Sequence, residues 1–233
     1  MAVAEHLSRS EVDSNRFGVN VHRGVLPEIH GLELLRYLVA HEVDVAILRV
    51  PAEEAAQLAR LDDVGLPYLV ADTLMYYAVP LDKYEPRALR NSNLEFVECD
   101  EGLLGELDRL VGEIFPSYKN HYAANPLLAA DMLEGYKEWA RSFGDGSSPE
   151  RRAWLVRREG EYIAFATVAF SENCSEGILY GVAPSASGGG VYGDLIRFTQ
   201  RVSMEWGAST MEVSTQAHNF AVQKVWGREG FAP

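Results

Sequence analysis

Apolar positions along the chain fall into two successive α/β patterns. In the first, Phe17 to Val21 reads as a short strand, Leu32 to Ala40 repeats at helical spacing, and Val43 to Val50 is a buried strand. Pro51 opens a helical stretch through Leu61, Pro-first and rich in Ala and Glu. Gly65 and Pro67 break it, and Tyr68 to Val79 alternates as strands do. These elements predict a small α/β domain over residues 1–90, and the polar run Asp82 to Asn93 reads as a linker.

The second pattern fills residues 91–233. Leu94 to Glu98 is a strand, and Gly102 to Phe115 and Leu127 to Phe143 are amphipathic helices. After the loop Gly144–Glu150, Trp154 to Arg158 and Tyr162 to Phe170 form strands hinged at Glu159-Gly160. Gly177 to Val182 is another apolar strand. Helix Gly188 to Trp206, strand Met211 to Ser214 and helix Phe220 to Arg228 complete the order.

Composition narrows the functions. The 233 residues are 47% hydrophobic and 24% charged, as in a globular protein, with no apolar run of the ~20 residues a membrane span needs. The first residues lack the basic start and apolar core of a signal peptide. Cys99 and Cys174 show no metal-ligand spacing and read as reduced, buried residues, so the cytoplasm is expected and no metal site is. The net charge is −13, and both halves are acidic: nine basic against fourteen acidic residues over 1–90, twelve against twenty over 91–233. Nucleic-acid binding as a main role needs a basic face and is disfavoured.

The segment Tyr180-Gly-Val-Ala-Pro-Ser-Ala-Ser-Gly-Gly-Gly-Val-Tyr-Gly-Asp-Leu-Ile196 carries the chemistry. An apolar strand enters a glycine-rich turn that opens a helix. That geometry aims backbone N–H groups and a helix dipole at one point and suits a pyrophosphate. Glycine allows the close approach that a side chain would block.

The same segment resembles motif A of the GNAT superfamily, V-x-P-x-x-R-G-x-G-x-G-x-x-L, through Val182, Pro184, Gly188, Gly190 and Leu195. Asn219, Gly230 and Phe231 fall in register with its motif B, N-x-x-A-x-x-x-Y-x-x-x-G-F. The resemblance implies an α/β (α+β) fold with a central mixed, mostly antiparallel sheet flanked by helices. It also implies N-acyl transfer from acetyl-CoA or another acyl-CoA to an amine. The cofactor would lie against Val182, Ser187, Gly188, Gly189, Gly190, Val191, Tyr192, Gly193, Asn219 and Trp226. The pantetheine arm would pair along the strand before the loop, and a backbone N–H near Val182 would meet the oxyanion.

Shorter stretches look like the TDP-fucosamine (amino-sugar) acetyltransferase family: Asp13 to Gly18, Ser117 to Tyr122, Asn125-Pro126, Tyr136 to Trp139 and Thr215-Gln216. The acceptor is then a small-molecule amine such as an amino sugar, and the aromatic residues Tyr118, Tyr122, Tyr136 and Trp139 divide between core and acceptor pocket.

Three positions depart from the family. Ser187 replaces the usual Arg or Gln, Tyr192 replaces a small residue, and Trp226 replaces the tyrosine that protonates the leaving thiolate. An indole cannot be a general acid near neutral pH. Tyr180, Tyr192 or His218 are alternative acids, and His121 or Glu176 candidate bases. The family's closing β-hairpin does not follow Phe231. Without it strand Met211–Ser214 would be a sheet edge, so that either this chain is cut short or a partner subunit supplies the missing strands, an open edge also suiting a homodimer. Two other readings stand beside acyl-CoA transfer: an acyltransferase fed by an acyl carrier protein or aminoacyl-tRNA, and a non-catalytic module that only binds.

Overall fold

A computed structural model describes residues 5–118, 120–129 and 132–233. The chain divides into two compact units, Met1–Val70 and Ala71–Pro233.

The first unit is a three-stranded sheet with helices. Strand β1 (Leu7–Arg9) leads through α1 (Glu11–Phe17) to β2 (Val21–Val25), and α2 (Gly31–Ala40) leads to β3 (Val45–Arg49). β2 pairs antiparallel with β1 and parallel with β3. Leu26, Ile29 and Leu34 form its core with Leu61 and Val64 of a 3-10 helical stretch, Ala52–Val64. Phe17 closes a helix instead of opening the expected strand. Ser10 caps that helix by accepting the Asp13 N–H, Glu11 and Asp13 suit its positive end, and Gly18 stops it at φ 65°. Local capping overrides the β preference of one aromatic residue.

The second unit contains β4 (Leu74–Pro80), β5 (Glu95–Glu98), α3 (Leu104–Ile114), the short α4 (His121–Ala124), α5 (Met132–Gly144), β6 (Arg151–Arg158), β7 (Glu161–Phe170), β8 (Cys174–Val182), α6 (Val191–Trp206), β9 (Thr210–Gln216) and α7 (Phe220–Arg228). Its six strands lie in the order β4-β9-β8-β7-β6-β5, all neighbours antiparallel except the parallel pair β8–β9. This is the mixed, mostly antiparallel sheet that the motifs implied.

Both faces are covered, which is why β6 and β7 read as nearly continuous apolar runs. On one side Leu107 and Leu110 of α3 and Tyr136 and Phe143 of α5 pack on Leu155, Phe165 and Leu179. On the other, Val191 and Leu195 of α6 pack on Val156, Ala164 and Ala166. Cys99 is free and buried in the first of these clusters, where burial pushes its thiol up to about 12. Among the described residues no helix is long and apolar enough to cross a membrane.

The structure corrects the expected end of the sheet. β9 is not an edge: β4 pairs with it antiparallel along seven residues, from Leu74 opposite Gln216 to Pro80 opposite Thr210. The alternation at 68–79 therefore belongs to the larger sheet, begins only at Leu74, and supplies from upstream the strand that was expected downstream. Burial explains the pairing, because Val79 closes a cluster with Met211, Val213, Ile196 and Trp226. Ala78 and Ala232 exchange two backbone hydrogen bonds, 2.8 and 2.9 Å, on the far side of β4. An open edge at β9 thus gives no ground for a dimer.

Candidate functional site

β8 and β9 form a fork. They pair in parallel only from Cys174 opposite Thr210 to Gly177 opposite Val213, while β8 runs on to Val182 and β9 to Gln216. A register shift opposite Thr167 and Val168 leaves Ile178 as an extra residue on β8, which bends that strand away. Thr167 Oγ1 accepts the Leu179 N–H (2.9 Å) and Ile163 O accepts that of Ala183 (2.8 Å), both on β7. Because a strand alternates, the N–H groups of Tyr180 and Val182 face the other way, into the fork.

At the end of the β8 arm, Pro184–Ala186 makes one 3-10 turn, and Gly188 and Gly190 follow at φ 81° and 83°. This left-handed backbone is open to glycine and strained for other residues. The Gly188, Gly189 and Gly190 N–H groups bond to no acceptor among the described residues. α6 begins at Val191, adding the free N–H groups of its first turn. Gly188 to Gly193 therefore form one cradle.

The loop is stapled from behind by Asp194, which is fully buried. Its carboxylate accepts the Arg90 N–H (2.7 Å), the Asn91 N–H (2.9 Å), Asn91 Nδ2 (2.7 Å) and Arg197 Nη1 (3.0 Å). Asn91 Nδ2 also reaches Gly189 O at 3.1 Å. Arg197 is held in turn by Glu229, at 2.8 and 2.7 Å. The polar linker is thus part of the site. Asp194→Ala would leave the Arg90 and Asn91 donors without their acceptor while Arg197 keeps Glu229, and should lower the unfolding free energy by about 3 kcal/mol, seen as a fall in the urea midpoint.

Each departure from the family pattern has a defined place. Tyr192 does not cover the glycine loop: its ring turns inward to pack with Trp226 and Tyr180, 6.3 Å from the latter's centroid. Burial drives its phenol well above the usual range. Trp226 is buried on α7, tilted against Tyr77 at 5.5 Å, with its indole N–H near the Tyr192 hydroxyl but without a bonded acceptor among the described residues. Ser187 is exposed. The Tyr180 hydroxyl donates to Thr199 Oγ1 (2.9 Å) and straps β8 to α6, so its proton is committed within the core.

The β9 arm gathers polar residues. Tyr118 donates a short hydrogen bond to Gln216 Oε1 and lies 3.4 Å from Thr215 Oγ1, which accepts Asn219 Nδ2 at 3.0 Å. Asn219 occupies the N-cap position of α7 without capping it by its side chain. Asp72, just before β4, accepts Gln216 Nε2 at 3.5 Å and faces His121 Nδ1 at 3.7 Å. The His121 ring holds the Asp72 carboxyl below its ordinary range, against the opposing effect of burial. His121 Nε2 is buried without an acceptor or donor among the described residues. The Tyr122 ring lies against the imidazole, centroids 4.0 Å apart.

Of the expected catalytic residues, the structure brings His121 to the end of the β9 arm. It leaves Glu176 exposed in the paired part of the fork, opposite Glu212, and His218 exposed beside Asn219. Tyr136 belongs to the core, stacked on Phe115, while Trp139 is exposed. Asp72, Arg90, Asn91 and Asp194 escaped the sequence reading. Asp72 and Arg90 sit in stretches without a motif, and only their spatial placement reveals them.

Residues 113–231 match the family described as Acetyltransferase (GNAT) family. Among solved structures, a GCN5-related N-acetyltransferase from Sphaerobacter thermophilus is similar over 97% of this chain and 72% of its own, with a TM-score of 0.66 and 17% identity. Another, from Kribbella flavida, is similar over 100% of this chain and 88% of its own, with a TM-score of 0.58 and 14% identity. At such identities the likeness is one of fold. No curated protein matches the sequence.

Proposed function

The chain belongs to the acetyltransferase (GNAT) family, and from that premise we propose that it moves an acyl group, acetyl foremost, from a CoA thioester to the amine of a small molecule. The observation that carries this reading is the fork itself: two parallel strands that part after Gly177 and Val213, with free main-chain donors along one arm and a glycine cradle at its tip. The fit to an acyl-CoA is chemical. The left-handed glycines give phosphates room, and the buried Trp226 N–H, packed in one cluster with Tyr180 of β8 and Met211 and Val213 of β9, is a donor without an acceptor among the described residues.

In this reading Gly188 to Gly193 hold the pyrophosphate through main-chain N–H groups and the α6 dipole. The Tyr180 and Val182 N–H groups face the thioester arm, and the latter is placed to stabilise the oxyanion. The amine must lose a proton before it attacks, and His121 takes it at Nε2 while Asp72 fixes the ring through Nδ1. The Trp226 N–H hydrogen-bonds the departing thiolate instead of protonating it. A thiolate with an ordinary pKa of about 8.5 is a tolerable leaving group. Tyr122 beside His121 and exposed Trp139 offer aromatic walls to the acceptor. Together with the likeness at 117–122 and 136–139 they support an amino sugar.

Calorimetric titration with acetyl-CoA, and with pantetheine as the phosphate-free control, tests the donor. The expected result is binding that depends on the phosphates, followed by amine-dependent thiol release with amino sugars. No binding would sink the reading and turn attention to carrier-linked donors. Binding without turnover on any amine would select a non-catalytic module.

A further inference from the structure

The glycine cradle brings no cation of its own. From Tyr180 to Ile196 the sole charged residue is Asp194, and Ser187 stands where the resemblance calls for Arg or Gln. Arg197, nearly two turns into α6, is taken by Asp194 and Glu229. A buried carboxylate behind the loop makes an anion there less welcome unless another positive charge faces it.

That charge is Arg90. Its guanidinium lies against the loop: a Cβ added at Gly190 would stand 3.2 Å from Arg90 Cδ and 3.4 Å from Nη1. Its main chain is pinned there by the Asp194 carboxylate, and Asn91 ties the next residue to Gly189 O. Arg90 is exposed and makes no ion pair within 4.0 Å among the described residues. The staple thus orders the backbone of an arginine while leaving its five-donor fork free at the mouth of the cradle.

We infer that Arg90, reaching in from the segment before β5, is the phosphate-binding cation of the donor site and replaces the side chain lost at Ser187. This rests on the acyl-CoA reading above. It assigns recognition of the nucleotide–pyrophosphate half of the donor to a residue outside both motifs, with no part in holding pantetheine.

The test is calorimetry on the whole chain with CoA and pantetheine, comparing the native protein with Arg90→Ala, Arg90→Lys and, as a charge control, Arg87→Ala. Arg90→Ala should weaken CoA binding roughly 10- to 100-fold, the loss of charge-assisted hydrogen bonds, and leave pantetheine unaffected. Arg90→Lys should fall between, keeping the charge without the planar fork. CoA affinity unchanged in Arg90→Ala, an equal loss for pantetheine, or an equal loss in Arg87→Ala would each overturn the inference while the donor assignment stands. A native protein that binds no CoA overturns both.

Discussion

Gly190→Glu should abolish CoA binding while leaving a folded protein. Three effects act together at this position. The backbone is at φ 83°, which a residue with a Cβ adopts only under strain. The Cβ itself would meet Arg90, 3.2 Å from Cδ, so the arginine must give by a few tenths of an ångström. The carboxylate would then occupy the space of the phosphates, repel them, and pair with the cation meant for them. A like charge at a few ångströms in a partly desolvated site costs several kcal/mol, so a loss of more than roughly 100-fold is expected. Gly190→Ala separates the contributions, because it adds the strain and the contact without the charge. Arg90 is the flexible party and can give way, so alanine should retain measurable affinity. Circular dichroism establishes that both variants fold, and titration with CoA reads the effect. A folded Gly190→Glu variant with native affinity would remove the loop from the donor site.

How much of this was legible depends on where the information lies. The loop and its helix were readable because glycines, Pro184 and the apolar run into Val182 sit within one stretch of chain, each with a local physical reason. The strands β6, β7 and β8 were readable because both faces of the sheet are buried. The partner of β9 was not, because strand pairing is a long-range choice. Leu74 to Pro80 carries the same pattern whichever sheet it joins, and only the burial of Val79 against Met211 and Val213 decides it. Phe17 was misread for the opposite reason: a cap at Ser10 and a stop at Gly18 outweigh the strand preference of one residue. The Asp72–His121 and Arg90–Gly190 pairs were invisible for the same reason as the β4–β9 pairing. Each joins residues far apart in the chain, and both Asp72 and Arg90 lie in segments that read as linker or strand edge. Tyr192 shows the limit of pattern matching from the other side. A bulky residue at a position usually small suggested a narrowed groove, whereas its ring packs inward and leaves the loop open.

His121→Ala should lower kcat/KM by roughly 10²–10⁴-fold, the range of general acid–base catalysis, with the CoA affinity unchanged. The prediction follows from the orphaned Nε2 and from the Asp72 carboxylate 3.7 Å from Nδ1, which faces the opposite side of the ring and leaves Nε2 as the nitrogen without a partner among the described residues. Asp72→Asn then provides the sharper test. The amide is nearly the shape of the carboxylate, so the fold should hold, but it brings no negative charge to the Nδ1 side of the ring. A loss of roughly 10- to 100-fold is expected, as for other residues that orient a working histidine. The pH dependence has a definite sign. The folded-state pKa of Asp72 is depressed from 3.8 by the His121 ring. Its contribution is therefore complete above the ordinary aspartate range and is lost only as pH falls through the lowered value. Asp72 stays ionised across the neutral range, so its own titration adds no limb there, and the ratio of native to Asp72→Asn activity should stay well above one at the neutral plateau. A ratio that collapses toward one at neutral pH would show that Asp72 only supports the loop. Full activity of His121→Ala would move the base to Glu176, whose exposed carboxylate stands one residue before the last paired position of the fork.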